Sequence, residues 1–131
     1  LEIIEFFKDC DLVIDFHEGW SWNRINNNSI GSTITPSSTE LLLLAEHLVN
    51  QLNNSPIMKP ILQKDSRKQF DIGKDRIVCE IDSTMECYMR KTKQTHILVE
   101  ITGQDSGHPL NVRLENVKTV IDSVLRIYKM V

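Results

Sequence analysis

The sequence has little that would support a disulfide-stabilised, nucleic-acid-binding or membrane-spanning protein. Its 131 residues include three cysteines, Cys10, Cys79 and Cys87, and an odd number without close pair spacing is typical of reduced intracellular thiols. The formal net charge is −3, so no positive excess would attract nucleic acid. The longest apolar run, residues 41–45, is far too short to cross a bilayer. We therefore expect a cytoplasmic protein that contacts neither nucleic acid nor membrane.

The composition, with 40% hydrophobic and 25% charged residues, is that of a globular domain, and we treat residues 1–131 as one domain. Apolar runs at 12–17 and 95–102 are too short for helices and predict buried strands. Shorter strands are predicted at 29–35 and 77–81.

One helix has clear sequence signals at both ends. Residues 41–52 repeat apolar side chains at helical spacing, and Ser37 with Glu40 forms a capping-box pattern just before them. Asn53, Asn54 and Pro56 then end the helix.

Other helices are predicted at 1–8, 83–91 and 111–131, whereas residues 57–76 indicate a long polar surface loop. The apolar side of the last helix comprises Val117, Val120, Ile121, Val124, Leu125 and Tyr128. Buried strands that alternate with amphipathic helices predict an α/β layered fold.

Two side chains at predicted strand ends indicate chemistry. His17 ends the first apolar strand and Glu100 follows the apolar run of another, and the carboxyl ends of strands in an open α/β sheet form its binding crevice. A neutral imidazole is a good zinc ligand, and a carboxylate can take a proton from metal-bound water. From residue type alone, however, a structural histidine and a buried Arg–Glu pair explain these two residues as well.

Residues 11–19, Asp-Leu-Val-Ile-Asp-Phe-His-Glu-Gly, resemble the third zinc-ligand motif of the zinc carboxypeptidase superfamily. The branch they resemble most contains succinylglutamate desuccinylase and aspartoacylase. Residues 98–103, Leu-Val-Glu-Ile-Thr-Gly, resemble the strand that carries the catalytic glutamate, and residues 29–34 and 83–93 resemble the intervening segments. The resemblance implies a three-layer αβα domain with a mostly parallel or mixed central sheet.

The resemblance also implies roles for three residues. His17 corresponds to the third zinc ligand, Glu100 to the general base and Arg90 to an arginine that binds the acidic substrate. Lys91 and Lys93 could be interpreted in the same way as Arg90, which could also be a solvated cation at a helix end. The implied activity is zinc-dependent hydrolysis of an amide bond in a small acidic N-acyl or peptide substrate, as in deacylases and carboxypeptidases.

The chain lacks the upstream Asn-Arg segment of this family and the small β-rich C-terminal domain of its aspartoacylase-like members, and it departs most seriously at the zinc ligands. The family takes its first two zinc ligands from an upstream His-x-x-Glu motif, and this sequence contains no such motif. We therefore expect a catalytic domain that is incomplete at its N-terminus, and that alone binds zinc poorly and hydrolyses nothing. The alternative is a non-catalytic binding or interaction domain on the same scaffold.

Three further side chains have two interpretations each, and a fourth has one expected position. Asp15 shares a strand face with His17, where it either orients the imidazole or pairs elsewhere. Trp22 either walls a pocket or caps the core. His108 is either a solvated loop residue or part of a pocket mouth, and His96 is expected at the strand edge away from the crevice.

Overall fold

The computed structural model of the chain describes residue 7 and residues 9–73, 93–104 and 107–130. Within these ranges lie four strands and three α-helices: β1 Val13–Trp20, β2 Thr33–Pro36, α1 Leu42–Asn53, α2 Lys59–Lys64, β3 Asp71–Ile72, β4 His96–Gln104 and α3 Leu110–Ile127. None of the helices in these ranges has the length and apolarity needed to cross a bilayer.

The four strands form one mixed sheet in the order β1-β4-β2-β3. β4 pairs in parallel with β1 and antiparallel with β2, and β3 runs parallel to β2. Because β4 lies between two strands, its first seven residues are buried. The predicted α/β fold with a mixed sheet is confirmed, and the arrangement is consistent with a three-layer αβα architecture.

The hydrophobic core lies between the sheet and helices α1 and α3, which pack against each other and against the strands. Alternate residues of a strand point to opposite faces. Ile97, Val99 and Ile101 of β4 therefore enter this core, whereas Leu98, Glu100 and Thr102 face the other side of the sheet. This alternation places Glu100 and Thr102 on the face away from α1 and α3.

β1 extends further than the sequence predicted. The prediction that His17 ends its strand and that a loop begins at Glu18 is wrong, because β1 continues to Trp20. Its parallel pairing with β4 runs through Gly19, opposite Thr102, and the register shifts only after Gly19. Pairing with a neighbouring strand thus extends β1 beyond its apolar run, and His17 lies within the strand.

The predicted capping box at Ser37 is also wrong. The Ser37 hydroxyl accepts a hydrogen bond from the backbone N–H of His96 at 3.0 Å, and the Ser37 N–H donates to the His96 carbonyl. Ser37 therefore prolongs the pairing of β2 with β4. The helix begins instead with a 3₁₀ turn, Thr39–Leu41, whose N-cap Ser38 makes no side-chain capping bond.

The segment after α1 is ordered secondary structure and not the predicted polar loop. Pro60 lies in the first turn of α2, where a missing N–H is tolerated. Asp65 then accepts a bond from the Arg67 N–H and starts a 3₁₀ turn. The fully buried Phe70 has its backbone N–H and carbonyl both bonded to the Asn53 side-chain amide. Tertiary contacts of this kind leave no periodic signal in the sequence.

Helix α3 confirms a helix at the end of the chain, but its buried stripe differs from the predicted one. Val120 and Val124 are buried, whereas Ile121 and Tyr128 are 41% and 48% exposed. Asn116 and Ser123 take part in the buried stripe instead. The predicted strand at 77–81 and helix at 83–91 lie outside the described residues, as does all of the predicted helix at 1–8 except Phe7.

Leu48→Ala should lower the free energy of unfolding by about 2–5 kcal/mol, because this fully buried side chain of α1 would leave a cavity. Leu43→Ala is the matched control in the same helix, since Leu43 is 78% exposed and its loss should change stability by less than about 0.5 kcal/mol. Urea denaturation of both variants measures the difference, and equal costs would contradict the packing described above.

Candidate functional site

His17 and Glu100 lie directly opposite each other on neighbouring strands. The parallel register of β1 and β4 pairs their Cα positions, and both side chains leave the sheet on the face away from α1 and α3. His17 Nδ1 is 3.5 Å from Glu100 Oε1. The imidazole is 42% exposed and the carboxylate only 5%, so a buried acid faces a ring that solvent can reach.

Asp15 occupies the other side of the same imidazole. It precedes His17 by two residues on the same strand face, and its Oδ2 lies 3.1 Å from His17 Nε2. The approach is close but not aligned as a hydrogen bond, and this buried oxygen has no hydrogen-bond partner. The ring therefore lies between two carboxylates, with Nε2 towards Asp15 and Nδ1 towards Glu100.

This arrangement suits a metal ligand whose second ring nitrogen is held by an acid. A proton on Nε2, facing Asp15, leaves a lone pair on Nδ1, and a carboxylate often supports a ligating histidine in this way. A catalytic zinc usually takes three protein ligands. No group of three or more His, Cys, Asp and Glu residues within the described ranges could hold a metal ion. His17 and Asp15 thus fit one ligand and its supporting acid, but the described residues do not complete a zinc site.

Glu18, the neighbour of His17 in sequence, points to the opposite face and serves another purpose. It forms an ion pair with Arg113 in the first turns of α3. Gly103 of β4 makes room for this pair, since a Cβ there would collide with Glu18 and lie 2.7 Å from an Arg113 nitrogen. Nothing in the sequence indicated a role for Arg113, because a lone arginine in an amphipathic helix carries no signal of its partner.

His108 is a core residue and not a solvated loop residue. It is 4% exposed, its backbone N–H donates to the Thr102 carbonyl, and its ring packs edge-on against Trp22 with centroids 5.5 Å apart. Trp22 is itself 6% exposed, and Lys68 Nζ lies 4.7 Å from the centroid of its indole. Trp22 therefore caps the core, which was one of its two predicted roles.

The surroundings of His108 keep its imidazole neutral. Burial is the main cause, and the nearby positive charges of Lys68 and Arg113 add to it, which lowers the pKa of His108 to about 4. The ring is thus uncharged at neutral pH.

Among the remaining predicted residues, Arg90 and Lys91 lie outside the described residues. His96 is buried four positions before Glu100, with Nδ1 2.8 Å from the Gln94 carbonyl oxygen, at the start of β4 and away from its carboxyl end.

Comparison with known proteins agrees with the fold. No protein-family model and no curated protein matches the chain. Among solved structures, the fold is shared with a peptidase. That structure is the mDAP-bound form of Helicobacter pylori Csd4, a D,L-carboxypeptidase, with a TM-score of 0.68 and 16% sequence identity over 95% of this chain. The chain spans 32% of the length of that protein. The likeness supports a peptidase-like fold, while assignment to the aspartoacylase branch stays a prediction.

The buried, neutral His108 should make stability depend on pH. In the unfolded chain the His108 imidazole binds a proton below its ordinary pKa of 6.5, whereas in the folded chain it does so only below about pH 4. The free energy of unfolding should therefore fall by up to about 3 kcal/mol between these two values. Urea denaturation from pH 7.5 to 4 measures this change.

Two variants isolate the contribution of this histidine. His108→Gln should remove that part of the pH dependence, whereas His47→Gln, at an exposed position of α1, should retain it. An identical pH slope in all three proteins would show that His108 is not the group responsible.

Proposed function

We propose that this chain contributes one metal ligand and the general base to the active site of a metal-dependent amide hydrolase, of the deacylase or carboxypeptidase kind. The observation that carries the proposal is the register of β1 and β4, which brings His17 Nδ1 within 3.5 Å of Glu100 Oε1. The fold shared with a D,L-carboxypeptidase supports it.

In this proposal, His17 is the ligand through Nδ1, and Asp15 is the acid beside its other nitrogen. Zinc, when bound, would polarise the substrate carbonyl and lower the pKa of a water molecule. Glu100 accepts a proton from the attacking water and delivers it to the leaving amine. The remaining protein ligands come from residues other than the described ones.

The substrate class in this proposal is a small peptide or N-acyl amino acid with a free carboxylate. Support for a peptide comes from the D,L-carboxypeptidase activity stated for the similar structure. Arg90 is proposed to bind the substrate carboxylate, because a guanidinium stays charged and pairs with a carboxylate through two parallel hydrogen bonds.

A non-catalytic binding or interaction domain is the second candidate. It is favoured by one observation, the lack of a three-ligand group within the described ranges. Such a domain would keep the fold and the His17–Glu100 pair but would neither bind zinc stoichiometrically nor hydrolyse an amide.

Glu100→Gln and His17→Ala should separate the two roles in the longest natural protein that contains this chain. Glu100→Gln should lower kcat about 10²- to 10⁴-fold and leave zinc content unchanged, because it removes only the base. His17→Ala should lose zinc and activity together. Zinc content by atomic emission and hydrolysis of N-acyl amino acids and dipeptides are the measurements.

His47→Ala is the control for the histidine change, since His47 is exposed on α1. Unchanged zinc in His17→Ala would disprove the ligand assignment. A wild-type protein that contains no zinc and hydrolyses none of these substrates would favour the non-catalytic alternative.

Asp15→Asn should weaken zinc binding roughly 10- to 100-fold, because the acid 3.1 Å from His17 Nε2 loses its charge. Asp122→Asn removes a carboxylate from an exposed ion pair with Lys118 and should leave zinc affinity unchanged. Competition with a chromophoric chelator measures both affinities. Equal affinity in the two variants would mean that Asp15 does not support the ligand.

A further inference from the structure

Gly19 lies beside the Glu100 carboxylate, in a backbone contact with no room for a side chain. A Cβ at Gly19 would be 2.7 Å from Gly31 Cα and 3.3 Å from Glu100 Oε2. Its φ is not positive, so the position requires space and not an unusual backbone conformation. Any larger residue must displace either the Gly31 backbone or the carboxylate.

The Gly31 backbone has little freedom to move away. The Thr102 hydroxyl donates a hydrogen bond to the Ser21 carbonyl at 2.6 Å. The Ser32 hydroxyl lies 2.9 Å from the Thr102 hydroxyl oxygen and donates to it, because the proton of Thr102 is already used. Ser21 and Ser32 have φ values of 52° and 56°, a left-handed conformation that non-glycine residues adopt only where surrounding contacts impose it. We call Gly19, Ser21, Gly31, Ser32 and Thr102 the glycine junction.

The two oxygens of Glu100 therefore have different neighbours. Oε1 faces His17 Nδ1 at 3.5 Å, whereas Oε2 faces the glycine junction at Gly19. Because Thr102 holds the glycine junction, a methyl group at position 19 would displace the Glu100 carboxylate through Oε2 more readily than the Gly31 backbone.

We propose that Gly19 is a positioning residue, which lacks a side chain so that the glycine junction can hold the Glu100 carboxylate facing His17. This inference rests on the proposed function for its catalytic consequence, but the geometric claim stands apart from it. A general base acts only within hydrogen-bond reach of its proton donor, and a displacement of about 1 Å can lower a rate roughly 10²-fold.

Gly19→Ala tests the proposal in two ways. In the 131-residue chain, the imidazole proton resonances of His17 should move, as they should in Glu100→Gln, because both changes alter the carboxylate that faces the ring. In the longest natural protein, kcat should fall roughly 10- to 100-fold with KM and zinc content unchanged, which a loss of folding would not produce.

Gly103→Ala is the matched control, because the atoms nearest to its methyl group would be the side-chain ends of Glu18 and Arg113 on the opposite face of the sheet. It should leave the His17 resonances and kcat unchanged. A folded Gly19→Ala protein with wild-type His17 resonances and wild-type kcat would overturn the proposal.

If Gly19→Ala does not fold, Thr102→Val tests the positioning role instead. It keeps the side-chain shape and removes the hydroxyl that holds Ser21 and Ser32, so it should shift the His17 resonances and lower kcat. Unchanged resonances would overturn the positioning role. If no variant or wild-type protein hydrolyses an amide but the resonances move as expected, the proposed function fails and the positioning role remains.

Discussion

The pairing of β1 with β4 is the constraint on which the site depends. These parallel strands are far apart in sequence, and their register places His17 opposite Glu100. A slip of one residue would turn one side chain to the opposite face and separate the pair. The apolar residues Ile97, Val99 and Ile101, which must face α1 and α3, oppose such a slip. The hydrophobic core on one face of the sheet therefore holds the polar pair on the other.

The buried carboxylate of Glu100 gives that pair its significance. Burial of an ionised acid costs several kcal/mol by order of magnitude unless other groups compensate. Here the imidazole is 3.5 Å away, and the other carboxylate oxygen lies against Gly19. Asp15, on the far side of the ring, places a second acid on the same imidazole. One face of the sheet thus brings a solvent-accessible imidazole together with two acids, the groups that the proposed function uses.

Sequence patterns predicted the strands that carry His17 and Glu100, and helix α1, because the signals for these elements are local. The apolar runs before His17 and Glu100 identified both strands, and the heptad-like spacing of 41–52 identified α1. Contacts between distant segments left no such signal. Ser37 bonds to His96 instead of capping a helix, and Phe70 is buried through Asn53. His108 looked like a loop residue because neither Trp22 nor Lys68 is near it in sequence.

The sequence was thus sufficient for the α/β class and for the two strands that carry His17 and Glu100, since strand periodicity is a local property, whereas the roles proposed for these side chains came from the family resemblance. The distance between the two residues, the orientation of the imidazole towards Asp15 and the contact of Glu100 with Gly19 arise only when β1, β4 and the 21–32 segment pack together. Such packing depends on long-range hydrogen bonds and excluded volume, which act between segments that the linear order keeps apart.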